Sequence, residues 1–85
     1  MPKPLSYSRH ALDVIAERKL DLRWIERTVR EPEWFAGDPR RPGVERRFRA
    51  VQEYGGRMLR VACYETETEI RIITVFFDRD ARRLK

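Results

Sequence analysis

Val44-Glu45-Arg46-Arg47-Phe48-Arg49-Ala50-Val51-Gln52-Glu53-Tyr54-Gly55-Gly56-Arg57-Met58-Leu59-Arg60-Val61-Ala62-Cys63-Tyr64-Glu65 is the stretch whose reading decides the fold. Two runs with strand-like alternation meet at a pair of glycines. Adjacent glycines tolerate the positive φ that both central residues of a type I′ turn require, so Gly55-Gly56 predicts a two-residue hairpin loop. Tyr54 then faces Arg57, Gln52 faces Leu59, Ala50 faces Val61 and Phe48 faces Cys63. On the other side Val51 faces Arg60, Arg49 faces Ala62 and Arg47 faces Tyr64. Side chains alternate between the two faces of a strand, so these are two surfaces. One is apolar and is expected to pack on helices, with Cys63 in the core. The other gathers Arg47, Arg49, Arg60 and Tyr64.

Toward the C-terminus a third strand is expected over residues 69–78. A two-residue loop at Thr66-Glu67 would turn Ile70, Ile72, Thr74 and Phe76 toward the helices. Arg71, Ile73, Val75 and Phe77 would join the arginine face. The near-continuous apolar run from Ile70 to Phe77 suggests a strand covered on both sides.

Toward the N-terminus the period changes to that of helices. Ser8 is a good N-cap for a helix over residues 9–19, with Ala11, Leu12, Ile15 and Lys19 on one face. Asp21 caps a second helix over 22–30, with Leu20 and Ile25 at the spacing of a hydrophobic staple. Leu22, Ile25 and Val29 line its apolar face. Pro32 disfavours a helical Glu31 and ends it. Residues 32–43 hold three prolines and two glycines and read as a loop, with Trp34 and Phe35 plugging the core edge. Leu5 to Tyr7 could add a short edge strand. The expected fold is α+β: two N-terminal helices on a three- to four-stranded antiparallel sheet, one domain over residues 1–85.

Composition bounds the function. A chain of 85 residues has room for one domain and buries only about 60–65% of its unfolded surface. Charged residues are 39% of it, well above the roughly 25% of an average domain. No apolar run approaches the roughly 20 residues of a membrane span, and Met1-Pro2-Lys3-Pro4 has no apolar stretch behind it, so a cytoplasmic protein is expected. One cysteine and one histidine give neither a disulfide framework nor a structural zinc site, and no cofactor is expected. The net charge is +5, and sixteen of the nineteen basic residues are arginine. The arginine fork suits phosphate, and a pI near 10 is one footprint of a nucleic-acid binder.

The candidate surface is therefore the Arg47, Arg49, Arg60 and Tyr64 face, with arginines to hold phosphates and a tyrosine to stack on a base. Arg79, Arg82 and Arg83 in the basic tail would extend it. His10 carries the only side chain whose unperturbed pKa lies near neutrality. In a first helical turn its expected role is packing or hydrogen bonding, with Glu17 and Arg18 two turns along the helix. Apolar Ile73, Val75 and Phe77 offer an alternative, a strand that pairs with another chain.

Ser8-Arg9-His10-Ala11, Glu17-Arg18-Lys19-Leu20, Trp24-Ile25-Glu26 and Arg30-Glu31-Pro32 together resemble a family of short bacterial proteins of unknown function. Its hairpin with an arginine-rich strand and a Thr-Val strand has counterparts in Gly56-Arg57-Met58-Leu59-Arg60-Val61 and Arg71-Ile72-Ile73-Thr74-Val75. The region from Arg71-Ile72-Ile73 through Ala81-Arg82-Arg83 is also similar to BrnT toxins. Both groups are associated with the RelE/ParE-like toxin superfamily. The chain departs from the pattern at Val14, where the family often has Arg, and at Lys19, where it often has Gly. The resemblance implies a RelE/BrnT-like fold and metal-independent RNA cleavage, in which a 2′-OH attacks the adjacent phosphate. Such chemistry needs a base, an acid and cations at the developing charge. His10 would be the proton acceptor, Arg47, Arg49 and Arg60 would stabilise the phosphorane, and Tyr64 would position a base or act as acid. The implied partners are RNA or the ribosome, a small acidic antitoxin and a second copy of the chain. A non-catalytic nucleic-acid or protein-binding module of the same fold is the alternative.

Overall fold

A computed structural model describes residues 2–79. Strand β1 (Leu5–Tyr7) leads into helices α1 (Arg9–Arg18) and α2 (Leu22–Arg30), followed by strands β2 (Trp34–Gly37), β3 (Glu45–Val51), β4 (Arg57–Glu65) and β5 (Ile70–Phe77). The strands form one five-stranded sheet in the order β1-β5-β4-β3-β2. Neighbours are antiparallel except β1, which pairs parallel to β5 through Leu5–Ile70, Ser6–Arg71 and Tyr7–Ile72. The α+β class and both helices match the sequence reading, but the sheet is mixed and has five strands rather than three or four antiparallel ones. The extra strand is β2, inside the segment read as a loop. Its prolines, Pro32 and Pro39, flank the strand instead of interrupting it.

The helix boundaries follow from their caps. Ser8 Oγ accepts from the Ala11 N–H at 3.0 Å. Asp21 Oδ1 accepts from the Arg23 N–H at 2.8 Å. Each such cap contributes about 1 kcal/mol. Lys19 ends α1 in the left-handed conformation, φ 54° and ψ 48°. Ala11, Leu20, Ile25 and Val29 pack with Val51, Leu59, Val61, Cys63, Ile70, Ile72 and Val75 in the main core. Leu12 and Leu22, expected inward, are about half exposed. Thr28, buried beside them, donates its hydroxyl to the Trp24 carbonyl. No described helix is long and apolar enough to cross a membrane.

Two details reset the faces of the sheet. Gln52–Tyr54 form a 3-10 turn, and Gly55 and Gly56 follow at φ 68° and 73°. The hairpin loop therefore runs over 52–56, and Val51, not Tyr54, pairs with Arg57. Arg49 faces Leu59, Arg47 faces Val61 and Phe48 faces Arg60. The shift from the expected register is an odd number of residues, which turns every β3 side chain to the opposite face. The second hairpin has a four-residue turn, with Glu65 paired to Ile70. That shift is even, so Ile70 and Ile72 still face the helices as expected. The turn needs no glycine, because Thr66 Oγ1 accepts from the N–H groups of Thr68 and Glu69. Beyond it, a register irregularity beside Cys63 leaves Ile73 without an opposite residue on β4. This bulge brings Val75 and Phe77 to the helix side and leaves Thr74 and Phe76 on the other, the reverse of the expected pattern.

Candidate nucleic-acid interface

Both helices pack on one face of the sheet, so among the described residues the opposite face carries no helix. Its floor is a second apolar cluster of Phe48, Ala50 and Met58 with Trp34 against it. Trp34 stacks on Phe48, its neighbour across the β2–β3 pair, with centroids 3.8 Å apart and planes 6° apart. Trp34 thus plugs the edge of this second cluster, as expected, whereas Phe35 points outward, 61% exposed. The Trp34 indole N–H is buried without a partner among the described residues.

Arg60 rises from this floor. Its guanidinium lies 4.0 Å from the centroid of the Phe76 ring and 3.0 Å from Asp78 Oδ2. Burial and the neighbouring charge of Arg46 push the Arg60 guanidinium down, while Asp78 and Asp38 oppose that shift. Arg46 stands on the same face as Phe48 and reaches Asp38 Oδ2 at 3.3 Å. Asp38 in turn accepts from the N–H groups of Arg40 and Arg41, which fixes the loop before β3. The Arg40 N–H and the Arg46 guanidinium hold the Asp38 carboxyl below its usual range, against the opposing effect of burial. Tyr64 is 44% exposed and pairs with Arg71 across the β4–β5 ladder. Gly43 packs against it. At φ +83° this residue has left-handed backbone, and an added Cβ would come within 3.0 Å of Tyr64 Cε1.

Of the residues singled out in the sequence, Arg60 and Tyr64 lie on this face as expected. Arg47 and Arg49 do not. They stand on the helix side, where Arg47 Nη1 donates to the Val29 carbonyl at 2.9 Å and Arg49 Nη1 to the Glu31 carbonyl at 2.6 Å. Arg47 is also paired with Glu45 and Glu65. The odd register shift exchanges them for Arg46, which alternation alone would have found with the loop length known. His10 is exposed on α1, which packs on the other side of the sheet from Arg60. Its ring has neither hydrogen bond nor ion pair among the described residues, so the expected packing or hydrogen-bonding role is not seen, and Glu17 and Arg18 form no cluster with it. Cys63 is buried as expected, and burial pushes its thiol up to about 11, which keeps it protonated. Arg79 is exposed just beyond β5. Arg82 and Arg83 lie outside the described residues.

The chain is an α+β domain in which a mixed sheet presents one arginine- and aromatic-bearing face free of helices. Residues 7–77 match the model of DUF4258, a domain of unknown function, and the chain belongs to that family. No match was found among curated proteins or among solved structures.

Proposed function

We propose that this domain binds single-stranded RNA through the helix-free face of its sheet, without cleaving it. The observation that carries the reading is Arg60 standing over the Phe76 ring, on the same face as Arg46, Tyr64 and Arg71. Arginines hold phosphates, and exposed rings stack on unpaired bases, the combination that binds single strands with little sequence preference. The net charge of +5 favours a polyanion. His10, the expected proton acceptor for cleavage, belongs to a helix on the other side of the sheet from Arg60.

The test uses labelled single-stranded RNA and fluorescence anisotropy. Tyr64 and Arg71 are both exposed, so the variant Tyr64→Ala/Arg71→Glu should keep the wild-type melting temperature. Its affinity should fall about tenfold or more, one lost stacking contact and one reversed charge. Wild-type affinity in this variant would remove the face from consideration. Intact RNA after long incubation with the wild type is the expected result, and new RNA ends would restore the cleavage reading.

A further inference from the structure

At the end of the sheet a cleft opens between the β3–β4 hairpin and the end of β5, where Ala50 and Met58 of the helix-free face meet Arg57 and Phe77 of the helix side. It encloses about 590 Å³ and is lined by Ala50, Gln52, Gly56, Arg57, Met58, Phe77, Asp78 and Arg79. Three features define what suits it. The floor is apolar: Ala50 and Met58 belong to the cluster that carries the Trp34–Phe48 stack. The rim is cationic: Arg57 and Arg79 are exposed and form no ion pair among the described residues, in contrast to Arg27, Arg30, Arg46, Arg47 and Arg60. Arg57 is positioned over the Tyr54 ring, 5.3 Å from its centroid. Between floor and rim stand a Gln52 amide, both donor and acceptor, and the Asp78 carboxylate, whose Oδ2 is paired with Arg60 while a carboxylate has room to accept further hydrogen bonds. The shape of the cleft is held by the Asp78 N–H, which donates to the Met58 carbonyl at 2.9 Å, and by the stacked Tyr54 and Phe77 rings, 4.6 Å apart.

We propose that this cleft takes one unstacked RNA base, with the phosphates on either side of it held by Arg57 and Arg79. A base has a flat apolar face for Met58 and Ala50 and a hydrogen-bonding edge for Gln52 and Asp78. The two unpaired cations match the charge that flanks it in a chain. This rests on the RNA-binding reading above and deepens it: the open face carries the strand, and the cleft fixes where one nucleotide sits.

The experiment is anisotropy with a labelled five-nucleotide single-stranded RNA and with versions carrying one abasic residue at each position in turn. Loss of the seated base should weaken binding at one internal position by about fivefold or more, the scale of a lost base contact. Removing two phosphate contacts with Arg57→Ala/Arg79→Ala should lower the slope of log affinity against log salt by about 1.4. An equal effect of the abasic residue at every position, or an unchanged salt slope in the double variant, overturns the cleft. If Tyr64→Ala/Arg71→Glu still weakens binding in that case, the face stands without it. Wild-type protein that binds no RNA at all overturns both. An acidic peptide that binds in place of RNA, and loses affinity in the double variant, also overturns the proposal.

Discussion

Arg47 donates to the carbonyl of Val29 across 2.9 Å, from the middle of a strand to the last turn of α2. Arg49 repeats the contact one step on, at the Glu31 carbonyl. A helix leaves its last carbonyls unsatisfied and carries partial negative charge at that end, so two guanidinium groups there both complete hydrogen bonds and complement the dipole. These arginines fasten a helix to the sheet. Substitution of Arg47 by Met keeps the aliphatic stem but removes the partner of the Val29 carbonyl and of the Glu45 carboxylate, while Glu65 keeps Lys3. A loss of about 1–3 kcal/mol is expected. For a domain of this size that is a fall in melting temperature of about 4–8 °C per kcal/mol. An unchanged melting temperature would show that the contact carries no weight.

Lys19 invites the opposite kind of change. Its left-handed backbone strains any residue with a Cβ, and Gly escapes that strain. Lys19→Gly should stabilise the domain by about 0.5–1 kcal/mol, the strain relieved less the extra freedom gained by the unfolded chain. Urea denaturation should show a higher midpoint at an unchanged slope.

His10 should prove dispensable. It is exposed and without a side-chain partner among the described residues, so His10→Ala should shift stability by less than about 0.5 kcal/mol. RNA affinity should stay at the wild-type value. A selective loss of affinity in the folded variant would bring α1 into the binding surface.

Acid should loosen the loop before β3 through Asp38. Its carboxyl lies below its ordinary value of 3.8 in the folded protein, held there by the Arg40 N–H and Arg46. A depressed folded value means that folding favours the ionised form. The contribution is therefore complete well above 3.8 and disappears as pH falls through the folded value. Tryptophan fluorescence, with Trp34 at the start of β2, should report an acid transition that Asp38→Asn lacks. Coincident transitions in the two proteins would assign the acid sensitivity elsewhere, for example to Glu65, which Lys3 and Arg47 also hold low.

The helices were legible because their signals are local. Ser8, Asp21 and Pro32 act within one turn of where they stand, and the helix boundaries fall beside them. The faces of β4 were legible too, because Leu59, Val61 and Cys63 alternate cleanly. What the sequence concealed was counting. Gly55-Gly56 marks the turn but not how many residues precede it, and the 3-10 turn Gln52–Tyr54 absorbs three that resemble strand. Since β3 carries both apolar residues and arginine on each face, its pattern could not correct the error. The bulge at Ile73 is equally silent, since Ile72-Ile73 reads as strand in either phase. Strand β2 was obscured by its flanking prolines. The arginine face was thus half right: Arg60 and Tyr64 by the alternation of β4, Arg47 and Arg49 exchanged for Arg46.

Among the described residues strand β1 pairs only with β5, and Ser8 seals the junction by donating its hydroxyl to the Ile73 carbonyl at 2.8 Å, a separation of 65 residues. During synthesis β1 emerges first and waits with an unpaired edge until β5 follows. Closing so long a loop is entropically costly, while the two hairpins between them close over short ones. The antiparallel strands should therefore assemble first, and docking of β1 with α1 should be the late step that commits the domain to its final form.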